Sequence, residues 1–154
     1  MSKQANSGPA LTREPHDVLG YLLKHAHLAL ETRTDAALAP FGITSRDLGA
    51  LRVIAGGVAR SQQDVAAILG VDRTSMVALL DALERAGIVA RRPSEHDRRR
   101  NVIGLTTRGA EVFAQAEQSS LAVERDFAGI LGDHGASELR RELQALIGSP
   151  ATAM

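Results

Sequence analysis

The sequence predicts a mainly α-helical fold with a small β-wing, in which a winged helix-turn-helix is flanked by N- and C-terminal dimerisation helices. Two short amphipathic helical patterns are separated by three residues, 70–72, as in a helix-turn-helix. Two short apolar segments follow, and the connection between them is rich in arginine. Long amphipathic helical patterns precede and follow this region. We therefore expect a winged reading head over about 44–109, between two helical flanks.

The composition is that of one globular domain. A chain of 154 residues, 44% of them hydrophobic, can bury a core, and we expect one domain over 14–154 after a flexible arm at 1–13. Aromatic residues make up only 3%, so the core must consist of Ala, Leu, Val and Ile. The lack of cysteine excludes disulfides and thiol-based redox sensing. No apolar run approaches the ~18 residues of a membrane span and the N-terminus has no leader-like segment, which predicts a cytoplasmic protein without a membrane partner.

The N-terminal flank is predicted to be one long helix. Its apolar positions recur at helical spacing from Asp17 to Leu38, and Pro40 and Gly42 end the pattern. We assign the first dimerisation helix to about 16–39.

Three further helices are expected to begin at side chains that cap them. Thr44 with Asp47, and Ser61 with Asp64, are variants of the capping box. Asp72 can cap the second helix of the helix-turn-helix, which a glycine at position 87 then ends. The caps and stops therefore place the helices of the reading head.

The helix-turn-helix residues divide into an apolar and a polar set. The apolar set forms one stripe on each helix: Val65, Ala66, Ile68 and Leu69 on the first, and Met76, Leu79, Leu80 and Leu83 on the second. Both helices should therefore pack on a common core. The second helix carries its short polar residues in its first turn, the end that enters a major groove. We assign DNA contacts to Arg73, Thr74, Ser75, Val77 and Ala78, of which the two apolar residues suit thymine methyl groups.

The segment after the second helix predicts a wing. Residues 88–90 and 102–103 suit paired strands, and a very short third strand is expected at 58–60. The connection carries five arginines against two acidic residues, a local balance of +3 in a chain of zero net charge: Arg91, Arg92, Arg98, Arg99 and Arg100. Charge patterned in this way indicates nucleic-acid binding. The alternative is a small helical core with a solvated hairpin, since arginine runs are usually plain surface.

The C-terminal flank is predicted to be two helices over about 106–147. Thr106 or Thr107 can cap the first, whose apolar positions recur at helical spacing: Ala110, Val112, Phe113, Ala116, Leu121, Phe127, Ile130 and Leu131. The run 132–135 is expected to break this helix before the final one begins. Apolar faces at both ends of the chain need a partner, and packing against a second copy about a two-fold axis suits helices that flank a reading head.

An ordered set of residues in and around the wing resembles a family signature. The set is Leu83-Glu84, Gly87-Ile88-Val89, Asp97-Arg98-Arg99, Leu105-Thr106 and Gly109. Its last three pieces are similar to the D-x-R … L-T-x-x-G wing signature of the multiple antibiotic resistance regulator (MarR) family, and the likeness extends from about Val18 to Ile147. The resemblance implies a winged helix-turn-helix regulator whose first and last helices form a dimer interface. It also implies an effector pocket where the first helix meets the reading head.

The same resemblance implies roles for the wing residues. Arg99 takes the arginine position of D-x-R, and we expect it to enter a narrow A·T-rich minor groove. Asp97 would orient a neighbouring arginine through a charge-assisted pair, while Arg98 and Arg100 would meet phosphates. A homodimer presents two recognition helices to double-stranded DNA, so the operator should be an inverted repeat with half-sites ~34 Å apart.

Four side chains are candidates for the effector site. His16, Tyr21, His27 and Arg52 lie on or near apolar helix faces, where a polar group needs a partner. We therefore expect a small aromatic, phenolic or carboxylate-bearing effector that releases the DNA. The alternative is that all four side chains reach solvent at the edge of the core.

Other chemistry is sparse. The clustered histidines leave a metal-responsive regulator as an alternative, but without cysteine the sequence favours solvated histidines and no metal site. The sequence has no phosphate-cradling glycine loop, no H-E-x-x-H motif and no cysteine nucleophile, so it predicts neither an enzyme nor a cofactor. A further alternative is a winged helix that docks other proteins without specific DNA binding.

Overall fold

The structure, a computed structural model, describes residues 14–57, 61–93 and 101–148. Within these ranges six α-helices and a two-stranded hairpin follow one another: α1 Leu19–Leu38, α2 Ser45–Ala55, α3 Gln62–Leu69, α4 Arg73–Arg85, β1 Val89–Pro93, β2 Asn101–Leu105, α5 Thr107–Ala128 and α6 Gly132–Ile147. Single 3₁₀ turns cover Pro15–Asp17, Ala39–Phe41 and Gly129–Leu131. The predicted mainly α-helical fold with a β-wing is confirmed.

Side-chain caps begin the three helices of the reading head as predicted. The Thr44 N–H donates to Asp47 Oδ2 at 2.8 Å, and the Asp47 N–H donates back to Thr44 Oγ1 at 3.2 Å. Ser61 and Asp64 form the same reciprocal pair at the start of α3, and the Asp72 carboxylate caps α4. Each cap provides a partner for backbone N–H groups that have none within the helix.

The hydrophobic core lies between α2, α3, α4 and the base of the hairpin. Its most buried side chains come from these helices and from the end of α1: Leu38, Leu48, Leu51, Val65, Met76 and Leu80. All four residues of the predicted α4 stripe are buried. The predicted α3 stripe is partly wrong, because Ile68 is 51% exposed. Val65 and Leu69 are four residues apart and share the core face, whereas Ile68 lies roughly 100° around the helix from Leu69.

β1 and β2 form an antiparallel hairpin, in register from Val89 opposite Leu105 to Pro93 opposite Asn101. Both strands are longer than the apolar segments that predicted them: β1 continues beyond Ala90 through Arg91 and Arg92 to Pro93, and β2 continues through Gly104 to Leu105. A strand with one face in water includes polar residues, so apolar residues alone do not give its full length. The third strand expected at 58–60 lies outside the described residues.

The C-terminal flank differs from the prediction in the length of its break. Thr106 caps α5, since its Oγ1 accepts a backbone N–H of the first turn at 2.9 Å. The break expected at 132–135 is confined to its first residue: the 3₁₀ turn Gly129–Leu131 follows α5, the chain changes direction at Gly132, and α6 spans Gly132–Ile147. Gly132 has a φ of 69°, so a single glycine makes the change of direction. Asp133 then favours a helix start because it lies in the first turn, near the positive end of the helix dipole.

The flanking helices α1 and α5 pack on each other and on α2 of the reading head. α1 lies against α5, where the Arg33 guanidinium is 5.1 Å from the centre of the Phe127 ring. Apolar side chains of both flanks remain partly in water in the single chain, from Leu23 at 42% exposed to Ile130 at 89%. None of the helices in the described ranges is long and apolar enough to cross a membrane.

Gly109 allows the closest approach between α5 and the hairpin. A Cβ at this position would overlap the carbonyl oxygen of Ile88 and lie 2.8 Å from its carbonyl carbon. Both are backbone atoms, which cannot rotate away, and the same carbonyl accepts the Thr106 N–H at 3.0 Å. We expect Gly109→Ala to lower the free energy of unfolding by at least about 2 kcal/mol, or roughly 4–8 °C in Tm, measured by thermal circular dichroism.

Gly104→Ala is the matched control, since a Cβ on this β2 residue would meet nothing within 4 Å. We expect its Tm to equal that of the wild type or exceed it slightly. Equal Tm values for the two variants would contradict the close contact between Gly109 of α5 and the carbonyl group of Ile88.

Candidate nucleic-acid interface

The start of α4 presents the residues predicted to contact DNA on one surface. Arg73, Thr74 and Ala78 are exposed, while Ser75 and Val77 are partly buried. The opposite face of the helix is buried in the core, so α4 cannot turn about its axis without exposing apolar side chains. The structure therefore brings these five residues together on a rigidly backed face.

The Asp72 carboxylate holds the first turn of this surface. Hydrogen bonds from the Ser75 side chain and backbone lower the pKa of Asp72, and the backbone bond measures 2.9 Å. The carboxylate stays ionised at neutral pH and faces the positive end of the helix dipole. The cap fixes the backbone from which Arg73 and Thr74 project.

The remaining predicted DNA contacts fall on residues 97–100. Asp97, Arg98, Arg99 and Arg100 lie outside the described residues, so their roles stay predictions. Arg92, near the end of β1, is exposed and pairs with no carboxylate in the described parts of the chain. Its charge is available to an anionic partner.

Arg91 is neutralised within the fold. Its Nη2 donates to Asp81 Oδ1 at 2.6 Å, its Nη1 donates to Glu84 Oε2, and its backbone N–H donates to Glu84 Oε1 at 3.2 Å. The hydrogen bond with Asp81 and the charges of both carboxylates raise the pKa of Arg91 above its ordinary value, against the effect of burial. From the sequence, Arg91 was one of five arginines assigned to the basic connection, and its pairing with α4 was not predicted. The spacing of Asp81 and Glu84, three residues apart on one face of α4, is the signal that could have indicated it.

A cavity of about 380 Å³ lies where α1, α2 and α5 meet, beside the turn between α3 and α4. Leucine and valine side chains form its apolar wall, at positions 30, 48, 69 and 71. Its charged and hydrogen-bonding lining includes His27, Glu31, Arg46, Arg52, Ser120 and Glu124. Two of the four residues predicted for the effector site, His27 and Arg52, therefore line one cavity.

His16 and Tyr21 do not line that cavity. The Tyr21 ring stacks on His25, with centroids 3.8 Å apart, and meets His16 edge-on at 5.2 Å. These rings are partners for one another at the N-terminal end of α1. Among residues 14–57, 61–93 and 101–148, no group of three or more His, Cys, Asp or Glu side chains could hold a metal ion.

Polar contacts join α2 to both flanking helices beside the cavity. At the start of α2, the Ser45 N–H donates to Asp35 Oδ1 of α1 at 2.6 Å. Near its end, Arg52 Nε donates to Glu117 Oε2 of α5 at 2.8 Å, and Nη2 donates to Ser120 Oγ at 3.0 Å. Arg52 thus has partners within the chain. The sequence did not indicate them, because Glu117 is 65 residues away.

Known proteins resemble this chain in sequence. The profile of the MarR family matches residues 41–100. The HTH-type transcriptional repressor Rv2887 of Mycobacterium tuberculosis is 31% identical over 128 residues, which cover 83% of this chain and 92% of the relative. A relative from Thauera aromatica, whose name assigns it to regulation of the hcr operon, is 36% identical over 92 residues, or 60% of this chain and 55% of that protein.

Solved structures resemble it in fold. CouR, a transcriptional repressor bound to a 23-mer DNA duplex, has a TM-score of 0.79 at 30% identity, covering 85% of this chain and 93% of that one. CouR from Rhodococcus jostii RHA1 bound to p-coumaroyl-CoA has a TM-score of 0.77 at 28% identity, covering 89% and 96%. These relatives are named as regulators of transcription and not as enzymes. With this likeness across most of its length, a helix-turn-helix and a wing hairpin, the chain belongs to the MarR family of winged helix-turn-helix transcriptional regulators.

Proposed function

We propose that this regulator is a homodimeric repressor that binds an inverted-repeat operator and is released from it by a small-molecule effector. The observation that carries the proposal is the exposed first turn of α4, backed by the core and followed by a hairpin that carries arginines. A helix presented in this way fits a major groove, and a basic wing beside it reaches the neighbouring minor groove. The names of Rv2887 and CouR, both repressors, support repression as the direction of control.

A second copy of the chain is the partner that would cover the apolar flanks. α6 has no buried residue in the single chain, and its apolar Leu146 and Ile147 are 55% and 73% exposed. On α1, Leu19 and Leu22 are 60% and 48% exposed. Covering the part of these side chains that is still exposed contributes about 25 cal/mol per Å² of apolar surface, so a contact that covers both flanks is favoured. Two-fold pairing achieves this because each copy supplies the same two flanks.

The operator follows from that symmetry. Two copies of α4 read two half-sites ~34 Å apart, in opposite directions, which makes the site an inverted repeat. Arg73, Thr74 and Ser75 supply hydrogen-bonding groups, and Val77 and Ala78 suit the methyl groups of thymine. An A·T-rich sequence offers thymine methyl groups to the apolar part of α4 and a narrow minor groove to an arginine of the wing.

The cavity beside α2 is the place for the effector. A volume of about 380 Å³ suits a small aromatic or phenolic molecule, and an apolar wall with a few polar groups is typical of ligand sites. The His27 side chain is 71% exposed and lies 4.0 Å from Glu31, so an incoming phenol or carboxylate can reach it. CouR is bound to p-coumaroyl-CoA, whose acyl group is a phenol, and this supports the ligand class.

α2 connects the cavity to the DNA-binding surface. It is bonded to α1 at Ser45 and to α5 at Arg52, and its Leu48 and Leu51 pack in the same core as α4. A ligand that takes the place of Glu117 at Arg52 loosens the bond between α2 and α5. Release then follows from the ligand's higher affinity for the dimer whose recognition helices no longer match both half-sites.

Light scattering at micromolar concentration is expected to give the mass of two chains, each of 16.3 kDa. Leu22→Glu should shift the protein toward monomer, because a carboxylate cannot be buried in an apolar interface. Lys24→Glu, at an exposed position of the same helix, is the control and should remain dimeric. A monomeric wild type would contradict the dimer.

Arg99→Ala is expected to weaken binding to an A·T-rich inverted repeat in the protein's own upstream DNA by roughly 1–3 kcal/mol in a gel-shift titration. The reason is the attraction of a narrow minor groove for a guanidinium. Arg98→Ala and Arg100→Ala should weaken operator and non-specific DNA alike and lower the salt slope by roughly one each, as phosphate contacts do. Asp97→Ala should cause a smaller loss, through the arginine it orients.

Two results would contradict this assignment. If Arg99→Ala bound the operator as tightly as the wild type, the hairpin would be plain solvated surface. If the wild-type protein ignored its own upstream DNA, the proposed function itself would fail.

A panel of phenols and aromatic carboxylates is expected to contain a compound that weakens operator binding. His27→Ala should reduce this response and leave operator affinity without the compound near that of the wild type. Arg52→Ala should also reduce it and, because it removes the bond to α5, should lower operator affinity even without the compound. His16→Ala, outside the cavity, is the matched control and should respond normally.

Reciprocity gives an independent check, since operator DNA must weaken binding of the compound by the factor by which the compound weakens operator binding. A broad panel, extended to metal ions, in which nothing changed operator affinity would indicate a constitutive repressor.

A further inference from the structure

Arg91 joins the hairpin to the recognition helix through two carboxylates. Its guanidinium bonds to Asp81 and Glu84 of α4, and its backbone N–H also bonds to Glu84. The Arg91 side chain is only 23% exposed. We name Arg91, Asp81 and Glu84 together the wing clamp.

The wing clamp lies where the hairpin leaves the body of the protein. On the body side, Val89 is buried, and so is Ile103, which pairs with Arg91 across the hairpin. Beyond Arg91, β1 continues through the exposed Arg92 and ends at Pro93. Among the described residues, the wing clamp is the last ionic or hydrogen-bonded contact between β1 and α4 before β1 ends.

We propose that the wing clamp is a positioning device, which holds the hairpin at one distance and angle from α4 so that recognition helix and wing engage the two grooves of a half-site together. The proposal rests on the proposed DNA-binding role of α4 and the wing. Arg91 contacts no DNA in this arrangement. It acts through the position of the wing.

Simultaneous engagement strengthens binding only when the two elements are already arranged for it. Once α4 is docked, the wing binds as a tethered second site, and its effective concentration at the minor groove falls as the tether becomes more flexible. A rigid hairpin also avoids the entropy cost of ordering on the DNA. Both effects apply to the operator, where both grooves match, and much less to non-specific DNA held by its phosphates.

Removing the two carboxylates distinguishes the wing clamp from a simple charge effect, because the two predict opposite changes in operator affinity. Asp81 and Glu84 are 46% and 38% exposed, and they place two negative charges next to a surface that meets phosphates. If they were plain surface charges, their removal would strengthen binding to all DNA. If the wing clamp positions the hairpin, removal of the carboxylates weakens binding to the operator, because Arg91 without its acceptors no longer holds the hairpin.

The first measurement is made without DNA. Amide hydrogen exchange across residues 86–105 should be faster in Asp81→Ala/Glu84→Ala and in Arg91→Met than in the wild type, because the hairpin is no longer held to α4. Arg92→Met, one residue further along the strand, should exchange like the wild type. Thermal unfolding checks that each variant is folded, and the two alanines favour the helix they lie in.

The second measurement is titration of operator and non-specific duplexes. In Asp81→Ala/Glu84→Ala, operator affinity should fall about tenfold while non-specific affinity is not weakened. Arg91→Lys keeps the charge but cannot bond both carboxylates with a planar fork, and it should lie between wild type and Arg91→Met. Glu111→Ala/Asp126→Ala removes two exposed carboxylates from α5, matches the change in charge, and should not weaken operator binding.

Faster exchange together with a loss confined to the operator supports the proposal. Unchanged exchange, or operator binding by Asp81→Ala/Glu84→Ala as tight as in the wild type or tighter, overturns it. A wild type that bound no operator would overturn the proposed function instead, and the exchange measurement would still decide whether the wing clamp holds the hairpin.

Discussion

Burial of one face of α4 orients the whole reading head. Its four stripe residues are buried in one hydrophobic core with side chains of α2 and α3: Met76, Leu79, Leu80 and Leu83. Burying such a side chain contributes about 1.5–3 kcal/mol, whereas an exposed ion pair contributes about 0–1 kcal/mol. The rotation of α4 about its axis is therefore decided by apolar contact. Its polar first turn faces outward because the other side of the helix is occupied.

Polar contacts join α2 to the flanking helices and the hairpin to α4. Asp35 holds the start of α2 to α1, and Arg52 holds the other half of α2 to α5. Arg91 holds the hairpin to α4 in the same manner. Contacts of this kind are individually weak and depend on geometry, so a ligand or a substitution can exchange them without unfolding the core.

Charge in this protein is arranged locally and is not spread over the surface. The chain has no net charge, so general attraction to DNA is small and recognition depends on where individual cations lie. Arg91 belongs to the arginine-rich segment by sequence but is neutralised by α4, whereas Arg92 beside it faces water. The number of arginines in a wing therefore overstates the charge that the wing offers to phosphates.

The type and order of the elements can be read from the sequence, because helical spacing, capping residues such as Thr44 and Asp72, and glycine stops act over a few residues. The exposed start of α4 can be read in the same way, because the apolar stripe and the polar first turn lie within one helix. Three contacts came from the tertiary structure: Arg52 meets Glu117, Arg91 pairs with Asp81 and Glu84, and Gly109 lies against Ile88. These contacts join separate elements of the chain, and they arise only when packing brings those elements to within a few ångströms.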